Sequence, residues 1–250
     1  MKRTVIILFL FLFSTICIAQ ELELPKITQE DIIIVHTAHT LSYNPDYLIP
    51  NWVAYELKSS ELEGDAQRRR IFSPDPDPIL VGYTLATHYD YSNSGWCRGH
   101  MLPAGDVKYS QQAMDESFYT TNICPMEISF NNGDWKRLEE KIRKWAVKYG
   151  TVYVVTGPIV GNNHYGKVGD SSIVVPDAFY KSVLVPYNES YLTISFLMYN
   201  EPSVKHKLKD YAITTEKLET MIEKTLYYKL ARRVAKQIKS YMPLKELELY

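Results

Sequence analysis

A chain of 250 residues that is 46% apolar and 13% aromatic can bury a full core, and a formal net charge of only −1 excludes a disordered polyelectrolyte. The first nineteen residues combine Lys2 and Arg3, an apolar run from Val5 to Ile18, and Ala19 before Gln20, which is the pattern of a cleaved signal peptide. Its removal takes away two positive charges and leaves −3, so a generally cationic surface is excluded and any nucleic-acid contact must use a local cluster such as Arg68, Arg69 and Arg70.

The apolar run is short and N-terminal for a permanent span, and no second stretch approaches spanning length, so no membrane span is expected in the mature chain. Cys17 does not suit a lipoprotein anchor, because bulky Ile16 precedes it. A secreted or periplasmic protein is therefore expected, with residues 20–250 forming one domain. Cys97 and Cys124 are the cysteines left after cleavage. Export makes a disulfide between them reasonable, and two separate buried thiols are the alternative.

In chain order, the β-branched run Ile32 to His36 and the alternating Asn51 to Leu57 are strands, together suggesting an antiparallel pair. His36 and His39, three apart on a strand, point to opposite faces and make a poor metal pair. Ser59 to Pro78 is charged and Pro-rich and is mostly loop. Trp135, Leu138, Ile142, Trp145 and Tyr149 form one helical stripe that Gly150 stops. Thr151 onward is a buried strand, followed by strands at Ser171 to Val175, Phe179 to Val185 and Tyr191 to Met198, with 161–170 a surface loop. Thr215 to Tyr241 is a helix with a broad apolar face. The fold expected is α+β, a mostly antiparallel sheet flanked by helices.

The stretch Trp96 to Glu139 gathers most of the groups suited to chemistry. Gly99 before His100 allows a close backbone approach, and Arg98 supplies a guanidinium for a carboxylate or phosphate. Asn122 and Asn131 add amide oxygens. Glu139 follows Asn131 by eight residues, which on one helix leaves them within about 80° of each other, roughly two turns apart. An amide oxygen with a carboxylate suits a hard cation such as Mg²⁺, beside which a histidine is better placed as a base than as a ligand. Taken singly, the asparagines are better read as ordinary turn and cap residues, and only the whole order of residues outweighs that. No CxxC or HExxH spacing supports a zinc hydrolase.

The order of these residues resembles the DNA/RNA non-specific endonuclease family, nucleases with a ββα-metal (His-Me finger) active site. Cys97-Arg98-Gly99-His100 is similar to the family's Asp-Arg-Gly-His, Thr121-Asn122-Ile123-Cys124-Pro125 to its Ser-Asn-Ile-x-Pro, and Phe130 to Glu139 to its Leu-Asn-x-Gly-x-Trp-x-x-Leu-Glu. Asn51 to Tyr55, Asp90 to Ser92, Thr156-Gly157-Pro158 and Val175 to Lys181 continue the likeness over roughly residues 33 to 230. The resemblance implies hydrolysis of DNA and RNA by a secreted enzyme using Mg²⁺, with Mn²⁺ as substitute. His100 would be the general base, Asn131 the direct metal ligand and Glu139 the holder of metal-bound waters, with Arg98 near the phosphate and Asn122 in substrate binding. An arginine upstream of an Asp-Pro steadies the developing charge. Spacing to Asp75-Pro76 selects Arg70, with Arg68 and Arg69 as alternatives on the substrate. Cys97 departs from the family's Asp, and a non-catalytic binding module of the same fold is the competing expectation.

Overall fold

The computed structural model describes residues 21–162 and 164–250. The proposed signal peptide and Cys17 lie outside the described residues. Seven antiparallel strands form the main sheet in the order β1-β2-β3-β6-β9-β10-β11. They are β1 (Ile32–Val35), β2 (Thr40–Asn44), β3 (Ile49–Lys58), β6 (Thr151–Ile159), β9 (Ala178–Tyr187), β10 (Ser190–Tyr199) and β11 (Ala212–Ile213). Between β3 and β6 the chain leaves the sheet to build β4 (Cys97–His100), α1 (Gln111–Glu116), β5 (Ile123–Met126), α2 (Ile128–Phe130), a π-helical turn (Asn131–Trp135) and α3 (Lys136–Tyr149). A small hairpin, β7 (Lys167–Val168) with β8 (Ile173–Val174), and the helices α4 (Thr215–Ile222) and α5 (Arg232–Lys239) complete it.

Alternation along the strands builds two apolar layers. In β3, Val53, Tyr55 and Leu57 enter the larger cluster with Leu138, Ile142 and Trp145 of α3, while Trp52 and Ala54 face a second cluster with Leu218, Leu226, Tyr227 and Ile238. The sheet is thus covered on both faces, with α3 and the β4–β5 excursion on one and α4 and α5 on the other.

Several expectations are corrected. The two early strands are not neighbours: β2 lies between them, pairing Ile34 with Leu41 on one side and Leu41 with Val53 on the other. The loop at 161–170 contributes β7, and the strand expected at Ser171 to Val175 shrinks to β8. The long C-terminal helix is two helices. Glu223 and Tyr227 adopt left-handed φ of 51° and 48°, and the fully buried Leu226 and Tyr227 fill the core between the helices.

Of the two readings of the cysteines, the disulfide is absent and the separate thiols are found. Cys97 pairs with Met126 across the β4–β5 ladder and Cys124 with Gly99, so the cysteines are offset along the strands, and both are free thiols. The Cys97 thiol instead donates to the Met126 carbonyl at 3.2 Å.

Candidate active site

A ββα finger carries the central residues: β4 and β5 form a two-stranded ladder, and α2, the π turn and α3 follow directly. Gly99 packs against the Met126 thioether, which occupies the space a Cβ would need. The finger is tied to the helix by the Trp135 indole, whose Nε1 donates to the carbonyl of His100 at 3.3 Å. The π turn begins at Asn131, so the phase between Asn131 and Glu139 differs from that of one uninterrupted α-helix.

His100 stands at the end of β4 among rings. Phe72 lies 5.3 Å away and Phe118 meets it edge-on at 5.0 Å. Its Nε2 is buried without a hydrogen-bond partner among the described residues. Burial, then the positive charges of Arg68 and Lys181, lower the imidazole to about 3, so it is neutral at physiological pH. With Nε2 sealed among the rings, Nδ1 is the nitrogen free to accept a proton from water.

Glu139 lies in the first turns of α3, and burial raises its carboxyl above the ordinary range. Lys181, Arg143 and Arg68 oppose that rise, and the Asp106 carboxyl adds to it. Arg143 follows Glu139 by one helical turn and bonds the buried Asp106 at 2.8 Å. Sequence reasoning missed Arg143, although an arginine four residues after a helical glutamate was a usable signal. It also missed Lys181, which is fully buried in β9.

The three arginines diverge. The segment after them is docked by a bridge between Ser73 and Tyr119, with Ser73 N–H donating to the Phe118 carbonyl at 3.2 Å. That docking brings the Arg68 guanidinium over Phe118 at 5.7 Å, where its charge reaches both His100 and Glu139. Arg69 pairs with Asp115 at 3.2 Å, and Arg70 is exposed. Spacing favours Arg70, whereas the charge that reaches His100 and Glu139 is that of Arg68. Asp75 of the Asp-Pro is buried, bonded to His36 at 2.9 Å and Thr121 at 2.6 Å.

Arg98 is turned toward the preceding loop. It donates to the His88 carbonyl at 2.6 Å and lies over Tyr91 and Phe72 at 5.3 and 5.7 Å. The substrate-binding expectation for Asn122 is corrected too. Its amide is fully buried, accepts from Leu102 N–H at 2.9 Å and donates to the Leu102 and Ser117 carbonyls, so no polar group is left for a ligand.

The oxygens suit a hydrated divalent cation. Asn131 is half-buried beside the Cys97 sulfur, and neither its side-chain oxygen nor the Glu139 carboxylate accepts a hydrogen bond from the described residues. No group of three His, Cys, Asp or Glu among the described residues is placed to hold a metal.

The finger and its oxygen-rich opening define the class: this is a ββα-metal nuclease fold. A model described as DNA/RNA non-specific endonuclease matches residues 23–237, and the chain belongs to that family of metal-dependent hydrolases. It is 37% identical over 199 residues to the mitochondrial nuclease EXOG of Danio rerio, covering 74% of this chain and 57% of the relative. Against the mitochondrial nuclease of Saccharomyces cerevisiae it is 34% identical over 197 residues, covering 71% and 60%. The solved structure of the EndoG/EndoGI complex, which concerns EndoG inhibition, aligns with TM-score 0.76 and 26% identity over 86% of this chain and 91% of that one. The chain thus spans little more than half the length of these curated relatives. Their mitochondrial naming overturns the expectation of a secreted or periplasmic protein. No helix among the described residues is long and apolar enough to cross a membrane.

Proposed function

We propose that residues 20–250 form one endonuclease domain that hydrolyses phosphodiester bonds of DNA and RNA with little sequence specificity, using Mg²⁺ or, as substitute, Mn²⁺. The observation that carries this reading is a neutral, ring-packed His100 whose Nε2 is sealed, leaving Nδ1 for water, on the same finger as the Asn131 and Glu139 oxygens. His100 takes the proton of the attacking water through Nδ1. Asn131 is the direct protein ligand of the cation, and Glu139 holds waters around it. The Arg68 guanidinium contacts the phosphate, where negative charge grows in the transition state. Arg98 holds the 88–91 loop beside the site. The bound cation supplies charge neutralisation at the leaving oxygen.

Without a broad cationic surface, substrate affinity rests on a few phosphate contacts and is modest and salt-sensitive. Incubating the purified chain with plasmid and with RNA, with and without Mg²⁺, tests the reading, and metal-dependent loss of both substrates is expected. Intact substrate at neutral pH with metal would refute it, and binding without turnover would mark a non-catalytic module. His100→Ala should abolish cleavage with the fold retained. A variant that cuts like wild type would remove His100 from the base position.

A further inference from the structure

Lys181 is the one lysine among the described residues whose side chain is fully sealed from solvent, and the mechanism above does not use it. Strand alternation explains why it is inside: Phe179, Lys181 and Val183 share one face of β9, the face on which the finger rests. Its ammonium donates to the Met101 carbonyl at 2.9 Å and to the Thr156 hydroxyl at 3.2 Å, and stands 4.4 Å from the centre of the Trp135 ring. Trp135 in turn captures the carbonyl of His100. The carbonyls of His100 and its successor Met101 are therefore held by two side chains that touch each other, one from the π turn and one from the central sheet.

Burying an ammonium against neutral acceptors is costly unless an opposite charge compensates. Burial lowers the Lys181 ammonium below the ordinary lysine range, and Glu139 and Asp106 pull it back up against Arg143. Glu139 is faced by Lys181 from β9, Arg143 from its own helix, Arg68 from the loop and Asp106 from the turn after β4.

We propose that Lys181 is a positioning residue: its ammonium, clamped between the Met101 carbonyl and the Trp135 ring, fixes the backbone that carries His100. The proposal rests on the nuclease reading and adds to it a role for the central sheet in aligning the finger. A purely structural lysine would lose stability on substitution and leave the kinetic pattern unchanged.

The test compares wild type with Lys181→Met and Lys181→Gln in plasmid cleavage across pH, with circular dichroism and thermal melts as controls. Lys181→Met should lower kcat by on the order of tenfold or more with KM nearly unchanged, because alignment and not substrate contact is lost. Lys181→Gln keeps a donor and should recover part of kcat. A folded Lys181→Met with wild-type kcat overturns the proposal. Nitrogen-15 NMR of wild type decides it should neither variant fold: one slowly exchanging ammonium is expected at neutral pH, and a neutral or freely exchanging amine overturns the clamp. Wild type that cleaves nothing would tell against the nuclease reading alone, and the ammonium signal would still decide the clamp.

Discussion

Removing the Arg68 guanidinium separates the roles of three consecutive arginines. A unit charge ~4 Å from developing phosphate charge is worth ~4 kcal/mol at an effective dielectric of about 20 and ~1 kcal/mol in water. Arg68 has Phe118 on one side and is exposed on the other, so an intermediate environment applies. About 2–3 kcal/mol is then lost in Arg68→Ala, roughly a 30- to 150-fold fall in kcat/KM. Arg69→Ala breaks a part-exposed pair with Asp115 and should cost under about 1 kcal/mol of stability, with little kinetic effect. Arg70→Ala, at an exposed side chain, should stay within about threefold of wild type. Initial rates on supercoiled plasmid at saturating Mg²⁺ provide the comparison, with melting curves to confirm folding. An Arg70→Ala loss exceeding that of Arg68→Ala would refute the assignment and restore the arginine chosen by spacing.

The pH profile and one buried carboxylate give two further tests. His100 is lowered to about 3 and stays neutral through the working range, so it should not set the acidic limb of kcat/KM. Glu139 is raised by burial, and its carboxylate is lost as pH falls through that raised value. The limb should therefore lie above the ordinary glutamate value of about 4.3, and a midpoint at or below it would contradict the argument. Asp31 is buried, which alone would raise its carboxyl, but bonds from Thr28, Ser42 and Lys224 outweigh burial and lower it to about 2. A depressed carboxylate stabilises the fold above its unfolded value of about 3.9, and the contribution disappears as pH falls toward 2. Asp31→Asn should lose about 2 kcal/mol at pH 7, and the gap from wild type in urea unfolding should close on acidification. A gap independent of pH would show that the contribution is not ionic.

Periodicity made most of the sheet and α3 legible. It failed where tertiary contacts decide. β2 was missed because Thr-Leu-Ser-Tyr-Asn has little apolar content, yet it pairs on both sides. The C-terminal stripe from Leu218 to Ile238 looked continuous because helical spacing alone does not reveal that Leu226 and Tyr227 reach the core from a left-handed turn. Ser73 pairs with Tyr119 and Arg68 lies over Phe118, tertiary contacts of which loop spacing carries no trace. Lys181 was legible in principle. A lysine alternating with Phe179, Val183 and Val185 on a strand is directed into an apolar layer, so it needs partners there.

Cys97 tests how far the family pattern bends. Its thiol donates to the Met126 carbonyl at 3.2 Å and lies 3.8 Å from that of Glu127, so it ties β4 to the junction with α2 without charge. A carboxylate placed there would face two carbonyl oxygens with no proton to give, a repulsion the thiol avoids. Cys97 and His100 are three apart on one strand and point to opposite faces, whereas the sulfur lies beside Asn131. The missing negative charge should therefore be felt by the cation at Asn131 and much less by the imidazole. Cys97→Asp should tighten Mg²⁺ binding in calorimetry by roughly tenfold, as expected for an added hard, charged oxygen. It should also lower the melting temperature through the carbonyl contacts and leave the His100 titration, followed by NMR, unmoved. Unchanged metal affinity with a shifted imidazole would reverse the argument, placing the influence of position 97 on the base.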